Sequence, residues 1–151
     1  MTNKNYSKLL EKYKKKDSIK KFQKIICVDF DGVIHSYRSK WVDEQTIPDP
    51  PVEGAFEFLL KFLPPDPEHP ENYDGPIAVI YSSRSKTYTG IKAMKDWFLK
   101  HGIPYVYIER DILKFPSKKP AAFITIDDRA ICFKGQFPSI NEIESFKPWN
   151  K

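Results

Sequence analysis

Residues 24–30 read KIICVDF, an unbroken apolar and β-favouring run that gives way to Asp29, Asp31 and Gly32. A run without alternation is the mark of a strand buried on both faces, which is the situation of a parallel sheet. A second run, at residues 77–81, leads directly into Ser82-Ser83-Arg84-Ser85. Further short strands are expected at residues 104–108 and 121–126, the latter ending in Asp127-Asp128-Arg129, with residues 130–133 as a fifth at the edge. Between the strands, residues 53–63 have a helical pattern. Thr89 or Gly90 opens another helix to about Lys100, with Ile91, Met94, Trp97 and Phe98 on one face and Gly102 closing it. Strands alternating with helices imply right-handed βαβ units. The expected fold is a three-layer α/β sandwich with a mostly parallel sheet of about five strands. Ligands bind beyond the carboxyl ends of such strands, and here those ends carry Asp29/Asp31, Ser82 and Asp127/Asp128.

Length and composition narrow the setting. With 151 residues, 40% of them hydrophobic, the chain suits one domain and is too apolar for wholesale disorder. No apolar run approaches the roughly 20 residues of a membrane span, and the lysine-dotted N-terminus lacks the apolar centre of a signal peptide. Two cysteines, Cys27 and Cys132, without metal-ligand spacing suit a reducing compartment. The expectation is a cytoplasmic protein with no membrane partner. The net charge of +5 is unevenly placed: residues 1–24 hold nine lysines against Glu11 and Asp17, leaving 16 basic and 18 acidic groups in the rest. Tyr6, Leu9, Leu10 and Tyr13 recur at helical spacing, so residues 1–22 read as a basic helical arm ahead of a domain at 23–151. Such an arm suits a solvated face or a polyphosphate surface.

Two carboxylates one residue apart at one strand mouth, and a second pair at another, would repel strongly without a cation among them. Helix capping explains one acid at each place but not both pairs. Oxygen-only ligands suit Mg²⁺, which takes a few carboxylates together with substrate phosphate. His35 reads as a loop histidine with a backbone partner. Tyr37 and Trp41 suit either stacking on a base or packing within the loop.

The motifs VDFDGV at residues 28–33, Ser82 closing IAVIYS, the Lys118-Lys119 pair and ITIDD at residues 124–128 occur in that order. Together they resemble the four motifs of the haloacid dehalogenase superfamily of phosphohydrolases. Lys118 or Lys119 fills the third motif, with Lys119 preferred because Lys-Pro there leads into the apolar strand. The resemblance implies Asp29 as nucleophile, Asp31 as general acid and base, and Ser82 and the lysine as partners of the transferring phosphoryl group. It also implies Mg²⁺ held by Asp29, the backbone carbonyl of Asp31, and Asp128, with Asp127 as their support. Asp at the second acidic position resembles phosphatases rather than ion pumps.

Neither gap between the motifs is long enough for a cap domain, which suits an open site taking phosphorylated small molecules or nucleic-acid ends. Ser82-Ser83-Arg84 is similar to the Ser-Gly-Arg of the 3′-phosphatase domain of bacteriophage-type polynucleotide kinases, and implies substrate contacts from Ser83 and Arg84. For Arg84 a salt bridge at the start of the helix is nearly as good a reading. The functional expectation is a Mg²⁺-dependent phosphomonoester hydrolase working through an aspartyl-phosphate, acting on nucleotides or polynucleotide ends. The alternative is a weakly catalytic phosphate- or nucleic-acid-binding module using the same pocket and the basic arm.

Overall fold

The computed structural model describes residues 23–151, so the basic arm expected at 1–22 lies outside the described residues. Three strands form one parallel sheet: β1 (Ile25–Val28), β2 (Ile77–Ile80) and β3 (Ile124–Ile126), in the order β2-β1-β3. β1 is central, pairing Ile25 with Ile77 and Val28 with Ile80 on one side, and Ile26 with Ile124 and Val28 with Ile126 on the other. Because all three run the same way in register, their carboxyl ends lie side by side. Asp29, Ser82 and Asp127 follow them at one edge.

Among the described residues four helices accompany the sheet: α1 (Ala55–Leu60), α2 (Tyr88–Lys100), α3 (Tyr105–Glu109) and α4 (Ile140–Glu144). The chain is therefore α/β with a parallel sheet, as its alternating pattern implies. α2 starts where the Thr87 hydroxyl accepts from the Gly90 N–H at 3.1 Å, a side-chain cap for a donor the helix leaves unpaired. Gly90 is required there, since a Cβ would collide with the Arg84 carbonyl. The expected apolar face of α2 is buried through Met94, Trp97 and Phe98, with Ile91 partly covered.

Helices α1, α2 and α3 pack on the sheet face that carries Ile26, Val28, Ala78 and Ile80. Phe98 is the centre of this core, stacked on Phe56 at 5.5 Å and edge-on to Trp97 at 5.4 Å and Phe115 at 5.6 Å. Trp97 reaches out of the core to donate to the Asp49 carbonyl at 3.0 Å, fixing the loop after β1. Cys27 and Thr125 point to the other face, and so do Asp29 and Asp127 two residues beyond them, because side chains alternate along a strand.

Two expected strands are corrected. Of the expected strand at residues 104–108, residues 105–108 belong instead to helix α3, with Tyr107 N–H on the Pro104 carbonyl at 3.1 Å and Arg110 N–H on that of Val106 at 3.1 Å. A five-residue apolar run fits either period, and a proline before the first turn presets a helical start. The place beside β2 is taken further on, where Lys114 bridges Val79 and its carbonyl accepts from Ile80 N–H at 2.9 Å. Residues 130–133 form no ladder with β3, so the described sheet has three strands rather than about five. The stretches 35–76 and 84–117 hold α1 and a short 3-10 turn, and another such turn with α2 and α3, and neither contains a separate cap.

Truncating Phe98 to Ala removes the centre of the aromatic cluster. A loss of about 3–5 kcal/mol is expected, as for other buried Phe truncations, read as a lower urea midpoint with an unchanged slope.

Candidate active site

The carboxyl ends of the strands open into a cleft of about 320 Å³, lined among others by Asp29, Asp31, Ser82, Ser83, Lys119 and Asp127. Six residues singled out from sequence motifs far apart in the chain thus meet at one place. Lys119 lines the cleft, and Lys118 is not among its lining residues.

One carboxylate oxygen from each of Asp29, Asp127 and Asp128 lies within 4.8 Å of the other two. Asp29 continues β1, its N–H on the Ile126 carbonyl at 2.9 Å, and its Oδ1 accepts from the Phe30 N–H at 2.8 Å. Burial, with repulsion from Asp127, Asp128 and Asp31 and against that one N–H, pushes its pKa up to about 7. Asp128 is also raised, by burial first and then by Asp127. Both of its carboxylate oxygens are buried without a hydrogen-bond partner. Buried polar atoms are rarely left so, and the unsatisfied pair faces two further carboxylates. An all-oxygen set of this kind fits a hard divalent cation. The cluster differs from the expected ligand set in one respect: Asp127 stands within it, not behind it, and its Oδ1 also accepts from the Arg129 N–H at 2.8 Å.

Gly32 makes room for this arrangement. Its φ is +85°, and a Cβ would collide with the Asp128 carboxylate, so both the backbone and the space call for glycine. Trp149 Nε1 holds the same turn by donating to the Gly32 carbonyl at 2.7 Å.

Asp31 stands apart from the cluster, in a polar network of its own. Arg84 Nε donates to its Oδ2 at 2.9 Å and its Oδ1 at 3.2 Å, and His35 Nδ1 lies 2.8 Å from Oδ1. The Asp49 N–H donates to His35 Nε2 at 3.1 Å, which makes that nitrogen the acceptor and Nδ1 the proton carrier toward Asp31. Arg84 is 1% exposed. Its Nη1 donates to the carbonyls of Asp43 and Glu44 at 2.9 and 2.8 Å, and its guanidinium lies 4.4 Å from the centre of the Trp41 ring. The expected phosphate clamp is therefore a buried strut between Asp31 and the loop at residues 41–44. The salt-bridge reading comes nearer to what is seen, with the partner on another motif. His35 is the residue that sequence reasoning undervalued; its place four residues after Asp31 was the available signal.

Ser82 ends its strand as the cap of the short turn Ser83–Lys86, its Oγ accepting from Arg84 N–H at 3.1 Å and its N–H donating to Ser85 Oγ at 3.0 Å. That geometry fixes the hydroxyl at the cleft and leaves its proton for a group inside. Ser83 is exposed beside it. Cys27 is buried under the cleft, with its thiol pKa raised mainly by burial, as for an inert cysteine.

No protein-family model matches the chain, and no curated protein or solved structure matches it significantly.

The folded protein holds the Asp29 proton more tightly than an unfolded chain, whose ordinary value is 3.8. This group therefore favours folding below that ordinary value, and its contribution is lost as pH rises through about 7. In chelator, the melting temperature is expected to fall across that window, and Asp29→Asn is expected to flatten most of the slope. A slope unchanged in Asp29→Asn would contradict the electrostatic reading. Arg84→Ala leaves Asp31 short of its charged partner, and a loss of about 3–5 kcal/mol is expected from chemical denaturation, as for other broken buried pairs.

Proposed function

We propose that this chain is a phosphomonoesterase that uses Mg²⁺ and passes through a phosphoryl group on Asp29. The observation that carries this reading is the meeting of Asp29 and Asp127 with Ser82 and Lys119 in one cleft, with Asp128 within reach of both acids and its buried oxygens lacking any partner. It is also the reading that the four ordered motifs imply. The small three-layer, capless form of the haloacid dehalogenase fold belongs to this proposal.

Asp29, Asp127 and Asp128 would hold the ion, with the Asp31 carbonyl as the resemblance implies. Bound there, Mg²⁺ offsets phosphate charge so that one anion can approach another. An Asp29 oxygen attacks phosphorus, the bond from phosphorus to the ester oxygen breaks, and the leaving alcohol takes up a proton from the Asp31 carboxyl group, the acid that the resemblance implies. The Ser82 hydroxyl and the Lys119 ammonium meet the charge on the transferring oxygens. Water then attacks phosphorus, its proton passes to a base, and the bond to Asp29 breaks to release phosphate.

The resemblance implies Asp31 as the acid and base of both steps, and the Arg84 guanidinium and the His35 ring hold its carboxylate in place at the cleft. The absence of a cap among the described residues, and the aromatic side chains of Tyr37, Trp41 and Tyr81 around the cleft, support nucleotides or phosphorylated polynucleotide ends as substrates.

Release of phosphate from a chromogenic phosphate ester, with Mg²⁺ or with chelator, tests the reading. Turnover is expected only with the ion, and Asp29→Asn is expected to lower kcat by about a thousandfold or more. A wild-type protein that binds phosphate without turning over any ester would support the binding-module alternative. Turnover at the wild-type rate by Asp29→Asn would remove the nucleophile from the scheme.

A further inference from the structure

Beyond the cleft, Ile131, Phe133, Pro138, Ile143 and Phe146 line a second hollow of about 380 Å³. Arg129 lines both it and the cleft, so the two share a wall. These apolar side chains are open to solvent, Phe133 being 58% and Ile143 53% exposed. The groove has a fixed frame. Ser139 caps α4 with a reciprocal pair, its N–H on Glu142 Oε2 at 2.6 Å and its Oγ accepting from Glu142 N–H at 3.1 Å, and Phe133 packs on Phe137 at 4.9 Å between ring centres.

We infer that this groove receives the aromatic part of a phosphomonoester whose phosphate lies in the cleft. The inference rests on the phosphatase reading and adds to it a leaving-group site. Three features favour that occupant. Arg129 lines both the groove and the cleft, and its planar guanidinium can pair with an anionic ester and lie flat on a ring. The groove's volume is in the range of small-molecule sites. Its wall is apolar apart from that one cation, which matches a ligand that is flat and apolar at one end and anionic at the other. A nucleobase joined to a phosphate has this character, and so does a simple aryl phosphate.

Calorimetric binding of phenylphosphonate and methylphosphonate to the full chain with Mg²⁺ tests the site without requiring turnover. Phenylphosphonate is expected to bind about tenfold tighter or more, in line with burial of an apolar group in a preformed pocket. Phe133→Ala and Ile143→Ala are expected to erase most of that difference while leaving methylphosphonate affinity unchanged, which also reports that the variants are folded. Equal affinities in the wild type, or equal weakening of both ligands in the variants, would overturn the inference. So would light scattering that shows a dimer dissociated by either variant, since the groove would then be an interface between copies. If the phosphonates bind as expected but no ester is hydrolysed, the phosphatase reading fails and the groove stands. If esters are hydrolysed but phenyl and methyl ligands bind alike, the reverse holds.

Discussion

The repulsion among Asp29, Asp127 and Asp128 is the constraint on which the rest of the site depends. The parallel pairing of β1 with β3 places these acids together, because Asp29 follows the one strand and Asp127 and Asp128 follow the other. Burial adds to the effect: it raises the proton affinity of Asp29 and leaves both oxygens of Asp128 without a donor. A fold that keeps such a cluster gives up stability in the absence of a counter-charge. It recovers that stability when a proton or a cation is present, so ligand binding and folding are coupled through the same few oxygens.

Asp31 is kept out of this repulsion by different means. Arg84 and His35 hold it from the other side, and both are fully buried among backbone carbonyls and aromatic rings that also fix the loop over the cleft. Two carboxylates separated by a single residue thus have opposite surroundings. One lies among like charges, while the other has a guanidinium and an imidazole beside it.

The central strands and the polar residues beyond their carboxyl ends were legible in the sequence because their signals are local and strong. KIICVDF and IAVIYS contain the apolar runs of buried parallel strands, and the acids and serine that end them have no packing reason to be there. Residues 104–108 were not legible, since a run of five apolar residues fits helix and strand alike, and the helix is decided by Pro104 and by Lys114 taking the position beside β2. The partner of Arg84 was hidden because it lies 53 residues away on another motif. The membership of Asp127 in the acidic cluster was equally hidden, since adjacent aspartates on a strand end point to different sides and only the backbone path decides which oxygens converge.

The most direct test of the account is chemical capture of the phosphorylated enzyme. Protein mixed with a phosphate ester and Mg²⁺, quenched in acid and reduced with borohydride, converts an acyl phosphate to an alcohol that peptide mass spectrometry can locate. The account predicts homoserine at position 29, formed only when both ester and Mg²⁺ are present. Steady hydrolysis with no modified residue, or with the modification at another carboxylate, would contradict it.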